Sequence, residues 1–135
     1  MKRIFNNYNL IDVFRLIRDK LFTYFFFGTS VRIIRNPFYI IGKKYVHFGK
    51  DFQSGPRLRI EVISNLFSKG LIQDNLKPCL NIGDNVSCNF NVHIGVIEKV
   101  VIGDNVLIGS NVTIVDHNHG NYSGDKQDDP LTIPR

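Results

Sequence analysis

Between Ile82 and Gly120, aliphatic residues recur with a period of six. An isoleucine or a cysteine begins each unit, glycine often follows it, and in four of the six units a valine comes four positions after the start. The units begin at Ile82, Cys88 and Ile94 and, after a shift of two residues, at Ile102, Ile108 and Ile114. Neither the period of an α-helix nor the alternation of a long strand explains this pattern. A six-residue repeat is typical of a parallel β-helix.

The repeat also predicts how the coils are built. Each six-residue unit supplies one short strand and one corner, and three units close a triangular coil of about 18 residues. The first aliphatic residue of each unit is expected to point inward and to stack on its equivalents in the coils above and below. Glycine or asparagine beside it is expected at the corner, where the backbone adopts conformations that a Cβ resists. Because every strand pairs with the next coil, an isolated coil cannot bury its apolar face.

Upstream of the repeats, residues 9–26 predict an amphipathic helix. Apolar residues from Leu10 to Phe25 follow i, i+3, i+4, i+7 spacing, and most charged residues lie opposite them. Asn9 is the expected N-cap, and Gly28 is the expected end. We expect the apolar stripe to cover the open end of the β-helix, as caps do in repeat proteins. The alternative is a helix that lies on a membrane surface, which its phenylalanine cluster and flanking basic residues would suit.

The remaining segments predict the organisation of the chain. Residues 31–60 carry weaker six-residue units, interrupted at 38–46, and are interpreted as the first, imperfect coils. Residues 61–77 carry no clear repeat and predict an inserted loop. Residues 120–135 form a polar loop without a closing coil, so the chain is expected to be truncated. The predicted parts are therefore a helix or cap at 1–30 and a β-helix at 31–135.

Composition and charge narrow the classes of function. The chain has 135 residues, which suits one domain, and a net charge of +5. Residues 1–59 hold 12 basic and 3 acidic side chains, so the amino-terminal part is the electropositive end. Such a surface suits anionic lipid, a nucleotide-linked or pyrophosphate-linked sugar, or nucleic acid. No recognised nucleic-acid-binding motif is present, and no nucleic-acid partner is expected.

Cysteine content and targeting signals point to the cytoplasm. Two cysteines, Cys79 and Cys88, are too few for a disulfide framework, and a reducing compartment is the simpler assumption. No signal-peptide pattern follows the charged start. No apolar run approaches the roughly 18 residues of a membrane span.

Three segments resemble a known family. They are Cys88-Asn89-Phe90-Asn91, residues 102–108 and residues 111–114. Together they resemble the core of the sugar O-acetyltransferases of the hexapeptide-repeat superfamily, which include the galactoside and maltose acetyltransferases. The polar segment 116–120, with residues 31–35 and 48–50 upstream, is similar to the branch that acetylates bacterial surface polysaccharides such as O-antigen.

The resemblance covers most of the chain and implies both a fold and a function. The implied fold is all-β: a left-handed parallel β-helix of hexapeptide repeats with an amino-terminal amphipathic helix. The implied activity is acetyl-CoA-dependent O-acetyl transfer to a sugar or lipid-linked saccharide acceptor in lipopolysaccharide, capsule or exopolysaccharide biosynthesis. The family also implies a homotrimer with active sites between neighbouring subunits. The expected location is the cytoplasm, with peripheral contact at the inner face of the membrane.

The resemblance also implies site residues. His119 aligns with the histidine that serves as general base in the galactoside and maltose enzymes, and a histidine titrates in the range this role needs. His117, two residues away, is the alternative base, and Asp116 or Asn118 is expected to orient the working imidazole. Asn89 matches the asparagine near the acceptor hydroxyl in the galactoside branch.

Asn91 is the next polar candidate for acceptor binding. The competing interpretation of both asparagines is structural, because asparagine at a corner tolerates the left-handed conformation. His93 is interpreted as a wall residue. Val96 and Ile97 stand where the galactoside enzyme has an aspartate pair, so a free galactoside is not the expected acceptor.

Two further interpretations compete with acetyl transfer. His93, His117 and His119 could supply three imidazoles to zinc, but their spacing differs from the His-x4-His pair of the γ-class carbonic anhydrases, and no metal is expected. The coils that bind the coenzyme in this family would lie beyond Arg135. The alternative function is therefore a truncated, catalytically inactive β-helix fragment.

Overall fold

The computed structural model describes residues 8–63 and 78–117, and its first element is the predicted helix. Helix α1 spans Leu10–Phe27. The Asn9 side chain accepts a hydrogen bond from the Asp12 N–H at 2.9 Å, and the Asp12 carboxylate accepts one from the Asn9 N–H at 3.3 Å. This reciprocal capping box fixes the start of the helix. At the other end Gly28 has a φ of 81°, and its N–H donates to the Tyr24 carbonyl at 3.0 Å. Both predicted caps are confirmed.

Short strands make up most of the rest of the described chain. They are β1 (Ile33–Ile34), β2 (Phe38–Ile41), β3 (Val46–Phe48), β4 (Gln53–Ser54), β5 (Leu58–Val62), β6 (Cys79–Ile82), β7 (Ser87–Cys88), β8 (His93–Val96), β9 (Lys99–Ile102), β10 (Leu107–Ile108) and β11 (Thr113–Val115). A 3₁₀ turn, Lys43–Tyr45, joins β2 to β3. No helix of the described residues is both long and apolar enough to cross a bilayer.

The strands stack into three parallel sheets, one for each side of a triangular shaft. The orders are β1-β4-β7-β10, β2-β5-β8-β11 and β3-β6-β9. Each strand therefore pairs with the strand one coil away rather than with its neighbour in sequence. This is the predicted parallel β-helix.

The last described coils are longer than the repeat alone predicts. Ile94 pairs with Ile114, and the corner residues Asn91 and Asn111, which stack in the same two coils, are 20 residues apart in the chain. Three six-residue units would give about 18 residues. The additional residues belong to the corner between β8 and β9, and they explain the shift in the six-residue pattern.

One coil is much longer than the others. Gln53 and Ser87 are in register on adjacent strands, although they are 34 residues apart in the chain. The extra length falls within 61–77, where the sequence predicts an inserted loop. Residues 61–62 continue β5, whereas 64–77 lie outside the described residues.

The predicted interruption at 38–46 is wrong. Strand β2 pairs with β5 over four residues, and Ile40 aligns with Ile60. The six-residue pattern is lost there because the following corner is enlarged. Gly42 takes a left-handed φ of 71° and begins the 3₁₀ turn. As a result, the stacked residues Ile40 and Phe48 are eight positions apart in the chain instead of six.

One apolar column shows how the core is built. Ile40, Ile60, Ile94 and Ile114 are stacked in register across one sheet. Ile60 and Ile94, which have a coil on each side, are fully buried, and Ile114 in the last described coil is half-buried. Other fully buried residues of the shaft are Ile34, Phe52, Leu58, Leu80, Val86 and Val92.

The corners use asparagine and glycine for different purposes. Asn85, Asn91, Asn105 and Asn111 have φ between 54° and 60°, as predicted. The glycine that follows the inward aliphatic residue does not take a positive φ at any described position of the repeat, so that part of the prediction is wrong. At Gly83 the constraint is space. A Cβ there would lie 2.8 Å from the Gly103 carbonyl carbon and from the Asp104 nitrogen in the next coil.

Helix α1 packs through its polar side, so the expectation that its apolar stripe covers the open end is wrong. Its buried residues are Asp19 and Thr23. Thr23 Oγ1 accepts a hydrogen bond from the Ile34 N–H at 2.8 Å. Asp19 Oδ1 accepts from Asn36 Nδ2 at 2.9 Å, and Asp19 Oδ2 lies 3.8 Å from Arg35 Nε. These bonds dock the helix on the unpaired edge of the first coil.

The first fold prediction concerns Ser54. Its side chain is 3% exposed in a core column between Ile34 and Cys88, and its hydroxyl has no hydrogen-bond partner. Ser54→Ala should therefore raise the free energy of unfolding by about 1 kcal/mol, because it removes an unsatisfied buried hydroxyl. Urea denaturation measures the change. The control is Ser87→Ala, which removes the acceptor of the Gln53 Nε2 bond at 2.7 Å and should not stabilise.

The second fold prediction concerns the docking of α1. Asp19→Ala should weaken docking by about 1–3 kcal/mol, because Asn36 and Arg35 lose their carboxylate partner. Amide hydrogen exchange in residues 10–27 should accelerate while β8 stays protected. Glu98→Ala, which removes an exposed carboxylate from the shaft, is the matched control. Unchanged exchange in the helix would show that Asp19 does not hold it.

Candidate functional site

Asp116 lies at the corner after β11 and binds the backbone of the coil below. Its Oδ1 accepts a hydrogen bond from the Ile97 N–H at 2.9 Å. Its Oδ2 accepts from the N–H groups of Glu98 and Lys99, both at 2.8 Å. One carboxylate thus satisfies three backbone donors at the enlarged corner between β8 and β9.

The same carboxylate orients His117. Nδ1 of His117 lies 3.1 Å from Asp116 Oδ1, and the two side chains are only 17% and 13% exposed. Because the carboxylate has no proton to give, Nδ1 is the donor in this pair. The lone pair of the neutral ring is then on Nε2, as in the imidazole of a catalytic triad.

Opposing effects set the charge of Asp116. Burial alone would raise its pKa. The hydrogen bonds from Ile97, Glu98, Lys99 and His117 outweigh burial, and the pKa lies below the usual 3.8. The carboxylate is therefore ionised at neutral pH and holds His117 in a single orientation.

A second carboxylate–imidazole pair lies on the outer face of the same sheet. His93 Nε2 is 3.0 Å from Glu61 Oε2, and Arg59 Nη2 donates to Glu61 Oε1 at 2.9 Å. The hydrogen bond from Arg59 holds the pKa of Glu61 below its usual range, burial opposes this shift, and His93 supports it. Sequence reasoning missed this cluster, because Glu61 and His93 are 32 residues apart in the chain.

Gly95 brings the two pairs together. Glu61, Gly95 and Val115 are in register on adjacent strands. A Cβ placed on Gly95 would lie 3.4 Å from His117 Cε1 and 3.6 Å from His93 Nε2. Both imidazoles therefore border the space left by this missing side chain. At these distances a Cβ would be in ordinary contact with both rings, and its closest approach would be to Val115 Cγ1, at 3.1 Å.

The two predicted acceptor-binding asparagines lie elsewhere. Asn91 Nδ2 donates to Asn111 Oδ1 at 2.7 Å, at the corner that precedes β8 and β11, and Asn89 is exposed just before it. Asp116 binds the corner that follows β8. The four residues of β8, about 13 Å of strand, separate these two corners. Within one chain the structure does not bring the asparagines to His117.

The other residues singled out in the sequence are either outside the described part of the chain or buried in the shaft. His119 and Asn118 lie outside the described residues. Val96 is fully buried in the shaft, so it faces the core rather than a ligand. Burial raises the pKa of the Cys88 thiol to about 11, which leaves it protonated and a poor nucleophile. Within residues 8–63 and 78–117, no group of three or more histidine, cysteine or acidic side chains is placed to hold a metal.

Comparison with known proteins gives a strong match. The chain is 39% identical over 132 residues to the "Putative lipopolysaccharide biosynthesis O-acetyl transferase WbbJ" of Escherichia coli K12. The alignment covers 98% of this chain and 59% of that protein. No family model and no solved structure matches. The chain is therefore a left-handed parallel β-helix whose sequence is similar, over nearly its whole length, to that lipopolysaccharide O-acetyl transferase.

Proposed function

We propose that the protein is an acetyl-CoA-dependent O-acetyltransferase that acts on a sugar hydroxyl during lipopolysaccharide or related surface-polysaccharide biosynthesis. The identity of 39% over nearly the whole chain carries this proposal. The β-helix and the oriented imidazole of His117 support it. The chain spans 59% of the length of its relative, and the activity proposed is that of the whole protein.

The proposed reaction is a direct transfer. A neutral imidazole takes the proton of the acceptor hydroxyl as its oxygen attacks the thioester carbonyl carbon. The tetrahedral intermediate then expels the thiolate of coenzyme A, which receives that proton from the imidazolium. Because the chain forms no covalent intermediate on this route, both substrates must be held together, and much of the rate comes from their orientation.

We assign the base to His119, on the resemblance to the galactoside and maltose enzymes. His117 is the alternative, and its orientation by Asp116 is the geometry that a general base requires. Of the two histidines, His117 is the one whose imidazole lies against the Asp116 carboxylate in the described part of the chain. No metal takes part in the proposed reaction.

The outer sheet face beside His117 is the proposed position of the acceptor. Arg59, Glu61 and His93 offer charged donors and acceptors there, which suit the hydroxyl groups of a saccharide. A phosphate or pyrophosphate of a lipid-linked saccharide would suit Arg59, whose side chain is 55% exposed.

A cyclic trimer would explain why the asparagines and His117 lie at opposite edges of one sheet. In a head-to-tail ring, the edge of one subunit contacts the opposite edge of the next. Asn89 and Asn91 of one subunit could then face the histidines of its neighbour, with the acceptor between them. We propose this assembly for the cytoplasmic enzyme.

The first test of function separates the two histidines. His119→Ala should lower kcat at least about 100-fold with little change in fold, because the base is lost. The measurement is thiol release from acetyl-CoA with a saccharide acceptor, together with the O-acetyl content of lipopolysaccharide by NMR in complemented cells. His47→Ala, which changes an exposed histidine of β3 in a different sheet, is the matched control. A large loss in His117→Ala alone would reassign the base, and wild-type protein without acetyl transfer would contradict the proposal.

The second test uses the pH dependence of Asp116. Its folded-state pKa is lowered, so its contribution to stability is complete above the unfolded value near 3.8 and is lost as pH falls through the lower folded value. Asp116→Asn should therefore reduce the free energy of unfolding by about 1–3 kcal/mol at neutral pH. Urea denaturation should show this difference shrinking below pH 3.8. Glu98→Gln is the control. A difference that does not vary with pH would mean that the fold does not favour the ionised form.

A further inference from the structure

The apolar side of α1 is an exposed surface that neither the fold nor the proposed site explains. Five residues at i, i+3, i+4 and i+7 spacing form one continuous stripe. Their exposed fractions are Leu10 70%, Phe14 70%, Ile17 51%, Leu21 55% and Phe25 77%. Ile11, Phe22, Tyr24 and Phe26 widen the stripe and are also exposed. Exposed apolar patches of this extent mark interaction sites.

The direction of the stripe follows from how the helix docks. Asp19 and Thr23, which hold α1 on the first coil, are 1% exposed. At 100° per residue, Leu21 lies about 160° around the helix from each of them. The apolar stripe therefore points away from the β-helix. A helix whose role was only to cap the shaft would be expected to bury this side.

The charge around the stripe identifies its partner. Arg15 and Arg18 lie on one side of the stripe, and Lys20 lies on the other. Arg15 and Arg18 pair with Asp12 and Asp19 of the same helix, but their side chains stay 60% and 56% exposed. Lys43 and Lys44 lie in the turn between β2 and β3, near the end of the helix, where Lys43 hydrogen-bonds to the Phe26 carbonyl. An apolar stripe between rows of cations is the pattern of a helix that lies in the interface of an anionic bilayer.

We propose that the stripe of α1 docks the protein on an anionic phospholipid surface. The phenylalanine and leucine side chains enter the boundary between head groups and acyl chains, and the flanking cations contact lipid phosphates. Lipid fits better than a second copy of this stripe, because two copies in contact would bring like charges together. The proposal does not depend on acetyl transfer, but it would place the protein beside lipid-linked saccharides.

Vesicle flotation with the full chain tests this proposal. Wild-type protein should bind vesicles of phosphatidylcholine and phosphatidylglycerol in equal parts, and it should bind pure phosphatidylcholine more weakly. Phe14→Ser with Phe25→Ser should lower the partition coefficient at least about tenfold. Arg15→Gln with Lys44→Gln should lower it about fivefold for each charge at low salt and much less at high salt.

A matched control tests whether vesicle binding needs the stripe itself or would be reduced by the loss of any two exposed apolar side chains. Phe90 and Leu107 are 48% and 76% exposed on the shaft, far from α1 in sequence. Phe90→Ser with Leu107→Ser should leave vesicle binding unchanged. Circular dichroism and the urea midpoint should show that both double variants remain folded, since all four side chains are exposed.

Two outcomes would overturn the proposal. One is wild-type protein that does not bind the anionic vesicles, or binding that the Phe14→Ser and Phe25→Ser change does not reduce. The other is sedimentation showing that the same change dissociates an oligomer while vesicle binding is absent. That result would assign the stripe to contact between copies of the chain.

Discussion

Pairing between successive coils is the constraint on which the rest of this structure depends. Each strand is short, and β7 has only two residues, so none is stable without the equivalent strands above and below. This pairing fixes the register between the last coils and stacks Ile60 on Ile94, although 34 residues of chain separate these two isoleucines. As a consequence, residues that point into the shaft must be apolar, whereas residues at the corners and on the outer faces can be polar or charged.

The proposed site uses those outer positions. Asp116 stabilises the corner below it through three backbone N–H groups and holds His117 with the same carboxylate. The Asp116 carboxylate therefore both stabilises the fold and orients the imidazole of His117. On the adjacent outer face, Glu61 and His93 meet because the register places their strands side by side, and the imidazoles of His93 and His117 both lie beside Gly95. A scaffold held together by its interior can thus carry polar residues outside without losing its core.

In helix α1, as in the shaft, the residues that hold the structure together differ from those that are exposed to a partner. Its attachment depends on a few polar contacts, chiefly those of Asp19 and Thr23 with the first coil. Phe27 at its end also packs against Phe38 and Phe48. Most of the other apolar residues, which in most surface helices bind the protein core, are exposed and left for another partner. This arrangement reverses the usual relation between an amphipathic helix and its domain. It gives physical grounds for treating the helix as an interaction element as well as a cap.

The sequence by itself determined the β-helix, the helix at its start, both helix caps and the corner asparagines, because each depends on local spacing and local backbone chemistry. It did not determine the length of the coils, the strand at Phe38–Ile41 or the reason for the repeat glycines, since these depend on contacts between coils. Hydrophobic spacing identified the stripe of α1, but only docking through Asp19 and Thr23 decided which way it faces. The meeting of Glu61 with His93 was likewise decided by tertiary structure, because register between coils, rather than distance along the chain, sets which outer side chains are neighbours.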